Sequence, residues 1–342
     1  MNRRSFIKIA GASLALIIGL FSFGKIGPHL RKLRYFFEAV PPIEIGEGGD
    51  EKIDLFTPNE RFFVQDAFST PNVDIDKWSL SVEGMVRRPL NLTYEEITSM
   101  SSTSIGSVLE CISNPIGGNQ VGNALWTGVP LRDILDLAEV DASVKKIVFY
   151  TEEGYSDSIT LEKAMGEEVI LAYNMNEETL SREHGYPLRA VVPGIHGMKW
   201  AKWLTRIEAV DLDYKGYWEK DGWSDEARVD IATKIIKPKK GERIPPGTYP
   251  IYVLAWGGSP GIEKVELSMD GGRTWHLAKI IKVPASHFEW TLWKYEWEID
   301  GKGDYKIIAR AVDKAGNVQV QGTSNPYPNG ASRMHEIGVK AV

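Results

Sequence analysis

SVLECISNPIGGNQVGNALWTGVPL spans residues 107–131 and holds the single cysteine of the chain, Cys111. Val108 and Leu109 lead into it as an apolar, strand-like step. Pro115, Gly117 and Gly118 then imply an irregular loop whose backbone a ligand can approach closely. A lone cysteine has no partner for an internal disulfide, so it is a buried small hydrophobe, a stray, or a chemical tool. A thiolate is a soft, strong ligand for a transition metal, and binding deprotonates it. One thiol without clustered histidines or carboxylates does not build a zinc or iron–sulfur site from protein alone. It suffices as a ligand when a cofactor supplies the others. On chemistry alone a structural thiol and a ligand both remain open.

Working outward, short strands alternate with short helices. WSLSVEG (78–84) alternates as a strand does. Thr93 can cap a helix over YEEITSM. Pro130 sits where a helix starts, and LRDILDLAEV has the apolar spacing of one buried face. KKIVFYTEEGY gives a strand and DSITLEKAM a second capped helix. LRAVVPGIHGMKWAKWLTRIEAVDL reads as strand, glycine-rich loop and strand. No regular βαβ rhythm appears, so the reading for residues 56–229 is an irregular α+β domain.

After about residue 230 the helical pattern disappears. TYPIYVLAWGG, KVELSMDGGRTWHLAKI, FEWTLWKYEWEID and GDYKIIARAVDKAGN alternate as strands separated by turn residues, and DGG at 270–272 signals a hairpin. Strands at this spacing suggest an immunoglobulin-like β-sandwich over residues 230–342. Its tryptophans (Trp256, Trp275, Trp290, Trp293, Trp297) read as core and interface. His276, His287 and His335 show no ligand spacing and read as structural; His29, Asp211 and Asp225 read as solvent-exposed.

The chain has 342 residues, enough for two domains with cores of their own. Its charge is uneven. Residues 1–34 hold seven basic and no acidic residues, which leaves 33 basic against 46 acidic in the remainder. An acidic body argues against nucleic acid as a partner. The head, NRRSFIKIAGASLALIIGLFSFGK, places two arginines before sixteen uncharged residues (9–24). It resembles a twin-arginine export signal, a route that carries folded, cofactor-loaded proteins. No A-x-A cleavage site follows, so retention as a membrane anchor is expected, and a plain anchor with incidental arginines is the alternative. Residues 35–55 read as a linker.

HGYPLRAVVPGIHGMKWAKWL (184–204) gathers His184, Arg189, Lys199 and Lys202 around Gly194 and Gly197. Charged donors and exposed backbone amides make an anion site into which a phosphate fits; a solvated basic loop between core strands is the plain alternative.

An ordered set of segments resembles the sulfite oxidase family of molybdenum enzymes. These are RFFVQDAF (61–68), SLSVEGMVRRPLNLT (79–93), LECISNPIGG (109–118), LWTGVPLRDIL (125–135) and the 184–208 stretch. WGGSPGIEKVELSMDGGRTW, LWKYEWEI and ARAVDKAGN continue it, similar to the family's dimerisation domain. The resemblance covers roughly residues 56–340. It implies a mixed α+β cofactor domain followed by an immunoglobulin-like domain. It also implies a molybdenum–molybdopterin cofactor whose metal takes one protein cysteine, here Cys111. His184 and Arg189 match the segment that holds the pterin and its phosphate. Trp200, Ala201 and Lys202 continue that grip, with Lys202 as phosphate partner, and Phe62, Phe63 and Gln65 match an early segment that reaches the pterin. KGYWEKDGWSDEARV (215–229) resembles the segment that approaches the metal, which puts Tyr217, Trp218 and Lys220 on the substrate side; an aromatic interdomain plug is the alternative. Trp126 reads as core or as lining of the same entrance.

Two departures bear on the substrate. Sulfite oxidases have a basic pair shortly after the cysteine and an arginine in the early segment. Here Pro115-Ile116-Gly117 and Gln65 stand instead. A sulfite dianion needs fixed positive charge, which Lys220, Arg132 or Lys199 could supply to another anion. The resemblance therefore implies oxygen-atom transfer, in the direction of sulfite oxidation or of S- or N-oxide reduction. With no C-x-x-C-H haem site in the chain, it also implies a separate electron carrier, a cytochrome or quinol-linked partner. A homodimer is plausible. Two other classes stay open: a cysteine hydrolase using Cys111 with His184 or His196 as base, and an exported binding protein that holds no metal.

Overall fold

The structure, a computed structural model, describes Ile43, Ile45, Asp50 and residues 53–342. The export signal or anchor expected at 1–34, and nearly all of the expected linker, lie outside the described residues.

The N-terminal half holds β1 (Leu80–Gly84), β2 (Leu90–Leu92), β3 (Thr103–Glu110), β4 (Val121–Pro130) and β5 (Lys146–Thr151). It continues with β6 (Ser156–Thr160), β7 (Ile170–Met175), β8 (Glu178–Thr179), β9 (Arg189–Val191) and β10 (Leu204–Val210). One sheet runs β2-β1-β10-β5-β6, with β1 parallel to β10; the other runs β3-β4-β7-β8, with β9 also on β7. The helices are short: α1 (Tyr94–Ser99), α2 (Leu131–Leu137), α3 (Leu161–Ala164) and α4 (Tyr217–Lys220). Their starts follow from the sequence. Thr93 forms a full capping box with Glu96, Pro130 precedes α2, and the Thr160 side chain caps α3. The half is sheet-rich, so the α+β expectation is met only loosely. The apolar periods that suggested helices are real, but each lasts one or two turns before a strand resumes.

The C-terminal half is strands. They are β11 (Ala232–Lys237), β12 (Arg243–Ile244), β13 (Gly247–Trp256), β14 (Ile262–Ser268) and β15 (His276–Leu277). β16 (Lys279–Lys282), β17 (Thr291–Ile299), β18 (Gly303–Asp313) and β19 (His335–Ala341) follow. They form two sheets, β11-β13-β17-β16 and β12-β19-β18-β14-β15. Both contribute to one apolar core containing Val253, Val265, Trp293, Trp297, Ile307 and Val339, the sandwich arrangement that alternation favours. The expected turn at 270–272 is held by Asp270, whose Oδ1 accepts from the Arg273 and Thr274 amides.

β3 and β4 pair antiparallel from Thr103↔Gly128 to Glu110↔Val121, so residues 111–120 are the loop of a long hairpin. The Cys111 amide adds a bond to Gln120 O at 3.0 Å. The loop end of this hairpin is gripped by the C-terminal half. Val108 and Val121 share a buried cluster with Trp256, Trp290 and Leu292. The Val108 amide donates to Phe288 O at 2.9 Å, and Trp256 Nε1 donates to Glu110 Oε2 at 2.9 Å. Burying that cluster is non-directional and strong, while the indole bond fixes register. The position of Cys111 is thus set by both halves of the chain.

Candidate functional site

Cys111 lies at the end of β3, half-buried, with its Sγ 3.1 Å from Ser113 Oγ. Burial pushes its thiol up, against a smaller opposing effect of Ser113. The preceding Glu110 is buried; its carboxylate accepts from Asn114 Nδ2 and Trp256 Nε1, and burial raises its pKa to about 7. Ile112 packs with Met198 and Ala227, and Ile195, Trp218 and Trp223 border them. The glycine-rich loop meets the cysteine strand at Gly197, where a Cβ would stand 2.9 Å from Leu109 Cδ1 and 3.3 Å from Glu110 O. A side chain at this position would have to push Leu109 aside and crowd the Glu110 carbonyl by a few tenths of an ångström.

The loop residues singled out in the sequence form a neighbouring group. His184 is buried with Nε2 3.0 Å from Asn59 O, and burial lowers its pKa to about 4. Arg189 is buried; it donates to His184 O at 2.8 Å and lies over the Trp126 ring at 4.7 Å. Its Nε has no hydrogen-bond partner, and burial lowers its pKa to about 9. Lys202 donates to Glu183 O at 2.9 Å and pairs with Asp66; burial lowers its pKa against the opposing charge of Asp66. Gly185, at φ +110°, sits between the two cations: a Cβ would be 3.1 Å from Arg189 Cβ and 3.2 Å from Lys202 Cβ. Phe62 stacks on Phe63 and meets the edges of both Trp126 and His184.

Not every expected residue presents a side chain here. Gln65 is exposed and donates to the neighbouring Asp66 O. Trp200 is buried, its indole donating to Ile195 O and its ring against Trp126. Ala201 is buried and its carbonyl accepts from Ala190, so both can serve a ligand through backbone alone. Trp126 is wholly buried and belongs to the core. Tyr217, 39% exposed, meets Phe68, Tyr155 and Trp218 edge-on, and Lys220 lies over the Tyr214 ring at 5.5 Å.

Two sequence readings are corrected. Lys199 is no anion donor: its ammonium is 1% exposed and is enclosed by Asp157 at 2.7 Å, Asp225 at 3.2 Å and Glu219. Burial works against its charge, but the two inner carboxylates outweigh it and raise its pKa. Asp225 is no mere solvent residue: it is shared by Lys146, Lys199 and Lys215. Burial is opposed there by Lys215 and Lys146, which hold its carboxyl well below the usual range. Arg132 is also committed, to Glu167 at 2.9 Å on the surface. Sequence reasoning missed Asp157 and Glu219, which are scattered in the chain and meet only through the fold. Asp66, inside the early segment, could have been flagged as an acid facing the basic loop.

A cysteine hydrolase is poorly served. The buried His196 points Nδ1 toward Glu110 O at 3.4 Å, His184 is held by Asn59 O, and among the described residues the thiol's side-chain hydrogen-bond partner is Ser113. A nucleophilic thiol needs a base within reach and a depressed pKa. Among the described residues no group of three or more His, Cys, Asp or Glu side chains is placed to hold a metal ion. A single half-buried thiol, and in the same sheet a buried cation with an orphaned N–H, suit a metal-bearing anionic cofactor, where the cofactor supplies the remaining ligands.

Two family matches define the class, a molybdopterin-binding oxidoreductase. Residues 67–218 match the oxidoreductase molybdopterin binding domain, and residues 225–336 match the Mo-co oxidoreductase dimerisation domain. The chain is 30% identical over 330 residues to a sulfite oxidase of Arabidopsis thaliana, covering 79% of this chain and 84% of that one. It is 32% identical over 335 residues to a mitochondrial sulfite oxidase of Drosophila melanogaster, covering 83% of this chain and 57% of that longer protein. The sulfane dehydrogenase SoxCD of Paracoccus pantotrophus has the same fold, with a TM-score of 0.74 at 24% identity over 93% of this chain and 96% of that one. The chain belongs to the sulfite oxidase family of molybdopterin-dependent oxidoreductases, whose cofactor is molybdenum–molybdopterin.

Proposed function

We propose that this protein performs oxygen-atom transfer at a molybdenum centre ligated by Cys111. The observation that carries the reading is Arg189: a buried guanidinium with an orphaned Nε and no carboxylate pair among the described residues, on β9, with β7 and β4 between it and the strand that ends at the only thiol. A buried unpaired cation is costly, and an anionic pterin phosphate is the partner that removes the cost. The cofactor, when bound, supplies two-electron redox chemistry and an acceptor or donor for the oxygen atom. The chain's share is to bind and orient. His184, Arg189 and Lys202 hold the phosphate end, Phe62 and Phe63 with the Trp200–Ala201 backbone wall the pterin, and Cys111 takes the metal. Lys202 reaches the phosphate by exchanging or sharing Asp66. Tyr217 and Lys220 on α4 stand on the substrate side.

The substrate in this reading is a small oxyanion such as sulfite, or an S- or N-oxide reduced in the opposite direction. The second is favoured by one observation: Lys199 and Arg132 are both neutralised by carboxylates, so Lys220 is the remaining cation of the three. A neutral oxide needs hydrogen-bond donors, not a charged clamp. Electrons pass to or from a separate cytochrome or quinol-linked carrier. The dimerisation-domain match supports a homodimer. The twin-arginine-type head supports export and membrane tethering; no described helix is long and apolar enough to cross a membrane.

The test is steady-state turnover of loaded protein with sulfite and a one-electron acceptor, beside reduced-dye-driven consumption of dimethyl sulfoxide or trimethylamine N-oxide. Activity in one direction that is lost in Cys111→Ala supports the reading. Fully loaded protein inactive in both directions refutes the substrate class.

A further inference from the structure

A cavity of about 470 Å³ borders the Cys111 loop. Its walls come from the loop itself (Ile116, Gly117, Asn119), from β11 and the turn after it, and from the start of β19. It contains none of the residues assigned above to cofactor or substrate. Its lining carries four cationic side chains, Lys234, Lys239, Lys240 and Arg333, against one carboxylate, Glu336. That carboxylate is already divided between Lys306 at 2.9 Å and Arg333 at 3.6 Å. Lys239 and Lys240 make no ion pair among the described residues.

Lys234 is the telling group. It is 5% exposed, yet both of its partners are neutral: Gly118 O at 2.7 Å and Asn119 Oδ1. An ammonium has three N–H donors, so one remains. A buried cation without a counter-ion is expensive unless something else supplies the negative charge. Burial, reinforced by Lys239 and opposed by the more distant Glu110 carboxylate, pushes its pKa down to about 7, so no carboxylate in contact holds its charge. Its bonds to Gly118 and Asn119 tie the same ammonium to the loop that follows Cys111.

We propose that this cavity is a binding site for a small multivalent oxyanion of the sulfate or phosphate class, held by Lys234, Lys239, Lys240 and Arg333. None of these four side chains is assigned above to cofactor or substrate. Its ligand touches the Cys111 loop through Lys234, so occupancy stiffens that loop.

The test is calorimetric titration of cofactor-loaded protein with sodium sulfate, at pH 7 and constant ionic strength set with chloride, beside Lys239→Gln/Lys240→Gln. Those two lysines are exposed, so the double variant keeps the fold; Lys234→Met is the stronger but riskier change. The expected result is saturable one-to-one binding, weakened at least tenfold in the double variant, with the metal's absorption spectrum in the double variant like that of the parent. Absence of saturable binding overturns the proposal. Binding that is undiminished in the double variant and perturbs the metal spectrum also overturns it, by placing sulfate at the metal instead. Molybdenum content measured on the same samples separates the two readings, because loss of metal refutes the cofactor assignment while the titration, which needs no turnover, still decides this one.

Discussion

Cys111 makes one side-chain hydrogen bond, to Ser113 Oγ. Replacing it by alanine removes little packing at a half-buried site, so the expected cost is within about 1 kcal/mol of stability, read by urea unfolding, while turnover is abolished. Arg189 predicts differently. Arg189→Met deletes a buried cation that lacks an acid partner, so cofactor-free protein is expected to lose no more than about 1 kcal/mol, or to gain. Pterin retained through gel filtration should fall at least tenfold. Retention unchanged from the parent would show that the guanidinium does not hold the phosphate. Much of this residue-level picture was legible. The loop after the only thiol, with Pro115 and two glycines, and the basic residues of 184–202 stood out in the sequence as candidate ligand-binding segments. Burial was not legible: nothing in HGMKW says that Lys199 turns inward onto three acids while Arg189 keeps an unmatched N–H.

At the scale of elements, α4 is a single helical turn that carries Tyr217 and Lys220, and a helix this short has no stability of its own. It is held by Glu219, which reaches down to Lys199, and Lys199 in turn holds Asp157 and Asp225. Tyr155 closes the network by donating to Asp157 Oδ2 at 2.6 Å. Lys199→Met leaves two buried carboxylates facing each other without a cation. The expected loss is roughly 3–5 kcal/mol, with α4 released and KM raised more than kcat falls; denaturant midpoints and steady-state kinetics measure the two. A second element-level test concerns the crossing of the glycine loop and β3. Gly197→Ala brings a methyl against Leu109 and the Glu110 carbonyl. It should displace the Cys111 strand and lower metal content, whereas Gly154→Ala, in open space, costs only the strain of its positive φ. The short capped helices were readable because caps are local. The grip of Trp256 and Trp290 on the loop end of the hairpin was not, because it joins residues more than a hundred positions apart.

For the whole molecule, the fold keeps three histidines neutral. Burial lowers the pKa of His184, His196 and His335 to about 4 in each case. At His335, whose Nδ1 accepts from the Ile235 amide at 2.9 Å, Lys234 and Lys240 push in the same direction. The unfolded chain protonates these residues near pH 6.5, the folded chain only near 4. Above pH 6.5 neither state carries the extra protons and stability is complete. As pH falls toward 4 the unfolded state binds more protons and stability drops, by up to about 3 kcal/mol for each fully shifted histidine. Unfolding midpoints at pH 7.5 and 4.5 should differ accordingly. His335→Asn, which can still accept from Ile235, should flatten the acid limb, and an unchanged slope would show that His335 titrates normally in the fold. The strand alternation after residue 230 revealed the sandwich because a solvated face and a core face leave a period of two. The sheet-rich character of the first half was hidden, because strands buried on both faces lose that alternation.

In the proposed reading, Cys111 and the 184–202 loop hold one molybdopterin with its metal. Residues 35–342 would be produced in a host that makes the cofactor, and molybdenum and pterin determined per chain by mass spectrometry, in parent and in Cys111→Ala. Near-stoichiometric molybdenum in the parent, with the metal's spectrum altered or the metal lost in the variant, is the expected result. Well-folded parent protein with neither molybdenum nor pterin would contradict the account.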